Sequence, residues 1–71
     1  MNTMRKKSYL EGYAAGQRAA NEFDVPDSYE ALFRDHDGDY VYAFHEGAAN
    51  VGLGIETAAE ESWEEYQDAV I

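Results

Sequence analysis

Tyr40-Val41-Tyr42-Ala43-Phe44-His45-Glu46-Gly47-Ala48-Ala49-Asn50-Val51 is the stretch on which the fold class turns. Its first five residues are rich in β-formers and can be read as a short strand at 40–44. Over the whole length, however, Val41, Phe44, Ala48 and Val51 recur at 3-4-3 spacing, which sets them on one side of a helix. Glu46 to Asn50 is also unlike a strand. The helical reading, Tyr40 to Val51, makes the chain mainly α. It predicts a three- to four-helix domain spanning residues 1–71, with the strand at 40–44 as the alternative. Gly52-Leu53-Gly54 ends the helix.

Towards the N-terminus, Thr3 to Glu22 reads as a helix, with Leu10, Tyr13, Ala14 and Ala20 at helical spacing and Asn2 or Thr3 as its cap. Gly12 and Gly16 each cost roughly 1 kcal/mol relative to alanine inside a helix. With Ala20 they form a ridge of small residues at i, i+4 and i+8, the pattern that lets a second helix approach closely, from this chain or from a second copy in a homodimer. Asp24-Val25-Pro26-Asp27-Ser28 breaks the chain, because Pro26 pushes Val25 out of helical geometry. Asp27 or Ser28 then caps a short helix, Ser28 to Arg34 or Asp35, with Tyr29, Leu32 and Phe33 as its apolar positions.

Towards the C-terminus, Thr57 and Glu60 match the capping box, in which each side chain satisfies a free N–H of the first turn. Ala59, Trp63, Tyr66 and Val70 follow as an apolar stripe, so Trp63 and Tyr66 read as core. Glu60, Glu61, Glu64, Glu65 and Asp68 occupy the rest of that helix.

The chain has 71 residues and no cysteine. A domain of that size hides only about 60% of the surface its unfolded chain exposes, and disulfides, thiolate metal sites and cysteine nucleophiles are excluded. No run approaches the eighteen or so apolar residues that span a bilayer. Arg5, Lys6 and Lys7 begin like a signal peptide, but Glu11, Gln17 and Arg18 break the apolar segment that should follow. The expected compartment is the cytoplasm.

Fifteen acidic residues against five basic ones give a formal charge of −10. From Ser8 onward, Arg18 and Arg34 alone face all of the carboxylates. Such a field repels nucleic acid and acidic membranes and attracts basic protein surfaces. Six tyrosines, three phenylalanines and a tryptophan distinguish the chain from a disordered acidic tail.

Asp35, Asp37, Asp39 and Glu46 stand at positions 1, 3, 5 and 12 of a calcium-loop pattern, so the stretch resembles an EF-hand loop. Tyr40 occupies the position where that pattern needs glycine at positive φ. The preferred reading is therefore an acidic turn between two helices, with a calcium site at Asp35, Asp37, Asp39 and Glu46 as the alternative. His45-Glu46 opens a zinc-protease motif, but Ala49 stands where its second histidine belongs, and His36 and His45 read as surface side chains. Gly52 and Gly54 lack the third glycine of a dinucleotide fingerprint. No serine has an activating motif, and so small a helical domain has little room for a pocket that separates two carboxylate pKa values. The chain reads as a binder without a cofactor, not as an enzyme.

Gly12-Tyr13-Ala14-Ala15-Gly16, Pro26 and Phe44-His45-Glu46-Gly47 resemble landmarks of the ribosome modulation factor family. The similarity covers Tyr9 to Val51. It implies two glycine-bearing helices packed closely and, as one alternative function, association with the ribosome. That family is basic, whereas this chain is acidic, and no RNA-contacting residue is carried over.

The leading expectation is an acidic interaction module. Its carboxylate face, Glu60, Glu61, Glu64, Glu65 and Asp68 with Asp35, Asp37 and Asp39, docks on the basic, nucleic-acid-binding surface of another protein as a DNA mimic. Inhibitors of this sort are typical of phages and mobile elements. The further alternatives are a single calcium-binding module and a halophilic domain whose acidity serves only the solvent.

Overall fold

The computed structural model describes residues 3–70, and the side chains of Met4 to Ala69. Four helices follow in order: α1 (Thr3–Asn21), α2 (Glu30–Asp35), α3 (Gly38–Leu53) and α4 (Ala59–Val70). The mainly α expectation holds. The alternative strand does not: residues 40–44 lie inside α3, and no strand occurs among the described residues. The β-formers serve the helix instead, because Val41 and Phe44 fall on its buried side together with Ala43 and Gly47. The caps proposed at Asn2 or Thr3, and the Val70 side chain, lie outside the described residues and side chains.

The centre of the molecule is the crossing of α1 and α3. Residue pairing runs in the same sense along both: Arg5 meets Asp39, Gly12 meets Tyr40, and Gly16 meets Phe44. The two helices are therefore parallel, with α2 and its flanking loops making the return. Glycine makes the crossing close. A Cβ on Gly12 would run into the carbonyl group of Tyr40, one on Gly16 into that of Phe44, and one on Gly47 into the carbonyl oxygen of Tyr13. Gly12 and Gly16 of the small-residue ridge thus pack within the chain, against α3, while Ala20 is half-buried. The two glycines lie on the buried side of α1, which runs Tyr9, Gly12, Tyr13 and Gly16, while Ala14 of the expected stripe is exposed.

The core cluster consists of Tyr9, Tyr13, Ala43 and Trp63, with Leu10, Ala59 and Tyr66 packed against it. Two of its members are tyrosines, so burial requires partners for their hydroxyls. Tyr9 Oη and Ser62 Oγ share a 2.7 Å hydrogen bond. Tyr13 Oη donates to the Thr57 carbonyl at 3.0 Å and accepts from Asn50 Nδ2 at 2.9 Å, joining α1, α3 and the approach to α4. Among the described residues, no buried side-chain nitrogen or oxygen lacks a partner. The aromatic stack continues through Tyr66, whose ring lies 4.8 Å from those of Tyr9 and Tyr42.

The helix ends differ from expectation in two places. Helix α4 begins at Ala59, with Ser62 N–H bonded to the Ala58 carbonyl at 3.0 Å. The Thr57–Glu60 capping box is therefore out of register, and Thr57 instead supplies its carbonyl to Tyr13. Helix α2 begins at Glu30, whose N–H meets Ser28 Oγ at 3.3 Å, and it buries no residue; Phe33 is 62% exposed. No helix among the described residues is long and apolar enough to cross a membrane.

Candidate functional site

The acidic residues divide into those that the fold uses and those that it leaves on the surface. Asp37 and Asp39 belong to the first group. Asp37 caps α3, its Oδ1 accepting from Tyr40 N–H at 2.9 Å while Oδ2 accepts from the Ser8 hydroxyl at 2.8 Å. Asp39 takes a fork from Arg5, Nε to Oδ2 at 3.0 Å and an Nη to Oδ1 at 3.2 Å, and its Oδ1 also accepts from Tyr66 at 2.6 Å. The hydrogen bond from Arg5, reinforced by Tyr66, holds the Asp39 carboxyl below its usual pKa against the opposing effect of burial. One member of the N-terminal basic cluster is thereby tied to the start of α3, where the helix dipole also favours negative charge.

This arrangement corrects the EF-hand resemblance. Gly38 to Leu53 is helical, so Asp39 and Glu46 ride on α3 rather than on a twelve-residue loop. Asp35 closes α2 and is exposed. No group of three or more His, Asp or Glu side chains suited to a metal occurs among the described residues. The turn contains only His36 and Asp37. The His36 ring stacks on that of Tyr40 at 3.8 Å, and His45 meets the edge of Tyr29 at 5.7 Å.

The second group is concentrated on α4. Glu60, Glu61, Glu64, Glu65 and Asp68 are all exposed, whereas Trp63 and Ser62 are buried. At 3.6 residues per turn the five carboxylates fall within about 140° of arc, repeating about every 6 Å along the axis at i, i+4 and i+8. Trp63, Tyr66 and Ala59 lie on the opposite side and fix the orientation of the face. Glu60 approaches Lys6 Nζ at 3.8 Å, an ion pair open to solvent on both sides. Of the residues assigned to a docking face from sequence, these five share one surface; Asp37 and Asp39 are engaged in building α3.

Three features escaped the sequence reading. Tyr9, one turn before Tyr13, is fully in the core, and burial pushes its hydroxyl pKa up to about 12 despite the bond to Ser62. Arg5 is a structural partner rather than a free surface base. Phe23, just after α1, is 96% exposed with φ 54°, in the left-handed region that a bulky side chain rarely enters. Only the first had a signal, the i, i+4 spacing of the two tyrosines. No family model matches the chain, and no curated protein or solved structure matches it either.

Proposed function

We propose that this protein is an acidic interaction module whose α4 face docks on a basic surface of another protein, one built to bind nucleic acid, and blocks it as a DNA mimic. The observation that carries the reading is the exposure of Glu60, Glu61, Glu64, Glu65 and Asp68 along one side of a helix anchored by Trp63. Carboxylates about 6 Å apart on a rigid helix present regularly spaced negative charge, as duplex DNA presents a phosphate about every 3.4 Å per strand. The assignment to inhibitors of phages and mobile elements is by analogy of type.

The test is capture from cell lysate at low and high salt, followed by competition with duplex DNA for the captured proteins. The proposal expects basic, nucleic-acid-binding proteins at low salt, displaced both by DNA and by rising salt. Lysine substitution at Glu61, Glu64, Glu65 and Asp68 should slow association more than it speeds dissociation. An unchanged association rate would move the docking surface elsewhere. Recovery of no basic protein at low salt would leave the acidity to the solvent, the halophilic reading.

A further inference from the structure

Because α1 and α3 are parallel, both helices end at the same pole of the molecule. Each ends in the same hydrogen-bond pattern. In α3, Ile55 N–H bonds to the Asn50 carbonyl at 2.8 Å and Gly54 N–H to that of Val51 at 3.1 Å, with Gly54 at φ 74°. In α1, Asp24 N–H bonds to the Ala19 carbonyl at 2.7 Å and Phe23 N–H to that of Ala20 at 3.2 Å. Both are Schellman closures, and the left-handed position belongs to glycine in one and to Phe23 in the other. The ring of Phe23 gains almost no shelter in return, being 96% exposed.

Phe23 is not an isolated apolar residue. It forms one wall of an open groove of about 610 Å³, with Ala20, Val25, Ala48 and Val51 among the other lining residues. A neighbouring groove of about 500 Å³ shares Asn21 and Val51 and adds Ile55 and Glu56. Leu53, in the chain between the lining residues Gly52 and Gly54, is 73% exposed. Glu56 lines the second groove, and Glu22 and Asp24 flank Phe23 in the chain, all three exposed; Arg18, one turn before Glu22, is the base in the last turn of α1. The carbonyl ends of two parallel helices add partial negative charge to the same pole. A second copy of a chain at −10 would bring these carboxylates against their own kind.

We propose that this pole is a docking surface for a basic amphipathic segment of a partner protein. An apolar side chain of that segment enters the groove beside Phe23, while its lysines or arginines meet Glu22, Asp24 and Glu56. This surface is separate from the α4 face and stands whether or not that face has a partner.

The probe is a Leu/Lys peptide patterned as an amphipathic helix, titrated into the full chain with amide-resolved NMR. The controls are oligolysine of equal charge and the matching Leu/Glu peptide. The proposal expects Leu/Lys to shift the amides of Phe23, Val25, Val51 and Leu53, and Leu/Glu to leave them unmoved. Phe23→Gly should weaken Leu/Lys binding about tenfold or more, the size expected for losing one buried aromatic contact, without lowering Tm. Lysine substitution at Glu61, Glu64, Glu65 and Asp68 should leave these shifts in place, which separates this surface from the proposed α4 site. Shifts confined to α4, equal binding of Leu/Glu, or unchanged affinity in Phe23→Gly would each overturn the proposal. So would a dimer in sedimentation equilibrium that Phe23→Gly dissolves, since a second copy would then be the occupant.

Discussion

Replacing Gly16 with alanine should destabilise the fold sharply, whereas the same change at Gly52 should stabilise it. Both glycines are helical, and in isolation each substitution favours the helix by roughly 1 kcal/mol. At Gly52 a Cβ meets nothing within 4 Å, so that gain is kept. At Gly16 it meets the backbone of Phe44, which cannot rotate aside. The helices must separate, which also loosens the contacts of Gly12 with Tyr40 and of Gly47 with Tyr13. Overpacking alone costs about 1–3 kcal/mol and sometimes more, and here it is relieved only by opening the central crossing. A net loss of about 3 kcal/mol is therefore expected at Gly16, against a total of about 4–11 kcal/mol for a chain of 71 residues. At about 4–8 °C per kcal/mol, Tm should fall by on the order of 15 °C for Gly16→Ala and rise by a few degrees for Gly52→Ala. Urea titration followed by far-ultraviolet circular dichroism and by the fluorescence of Trp63 measures both. A Gly16→Ala protein as stable as the wild type would refute the close α1–α3 crossing.

Phe23→Gly should raise stability by about 0.5–1 kcal/mol. Relief of the left-handed backbone is worth about 1–2 kcal/mol, less the added freedom of glycine in the unfolded chain; a lower Tm in thermal melts would contradict it. The lowered pKa of Asp39 makes its contribution to stability complete above the unfolded carboxyl pKa of about 3.9, and it is lost as pH falls through the folded value. The advantage of wild type over Asp39→Asn should accordingly shrink on acidification below about pH 4, and an advantage independent of pH would remove the Arg5 fork as its source. For Tyr9 the sign is opposite: a pKa raised to about 12 means that its contribution is whole below the unfolded value of about 10 and is lost between the two. Wild type should thus lose stability more steeply across that alkaline window than Tyr9→Phe, which at neutral pH is weaker by about 1 kcal/mol for the lost Ser62 bond. Neutralising Glu64, Glu65 and Asp68 as amides should raise Tm by a few degrees, and a fall would show that these charges support α4.

The sequence carried the helices better than it carried their partners. The spacing of Val41, Phe44, Ala48 and Val51 was enough to favour a helix over a strand, because a period near 3.6 extends beyond the β-rich pentapeptide. Glycine at i and i+4 signalled a close approach, but not to what: the α1–α3 crossing joins residues some thirty apart in sequence, and pattern within one helix says nothing about that. On the apolar stripe of α1, Tyr13 is buried and Leu10 packs against the core, while Ala14 is exposed and Tyr9, one turn before Tyr13, is buried in addition. The capping box failed by register, because the Thr57 carbonyl is held by Tyr13 and the first helical turn starts beyond it. The exposed α4 acids were legible because Trp63 and Tyr66 fix the opposite side. The left-handed Phe23 had no signal, as nothing in Glu22-Phe23-Asp24 distinguishes it from an ordinary loop aromatic.

Both proposed surfaces lie where the chain works against its own folding. On α4, Glu60–Glu64, Glu61–Glu65 and Glu64–Asp68 are like-charge pairs at i, i+4, each unfavourable by about 0.2–0.5 kcal/mol. The last turn holds no basic residue to answer the dipole, and Asp68 opposes it. Near the end of α1, a phenylalanine occupies a position where glycine would relieve the backbone, and its ring remains in water. Neither feature strengthens the core, which Tyr9, Tyr13, Ala43 and Trp63 complete without them. At the α1–α3 crossing the local choices agree with the fold: Asp37 caps α3, Gly54 closes it, and Gly12, Gly16 and Gly47 sit where the two backbones touch. Departures from such consistency are where function is to be sought first. Here they single out two separate faces, one purely electrostatic and one apolar and flanked by acidic residues. A partner that engaged both would present basic charge to α4 and an apolar side chain to Phe23. Its binding would then lose the charge-dependent part in high salt and keep the part anchored at Phe23.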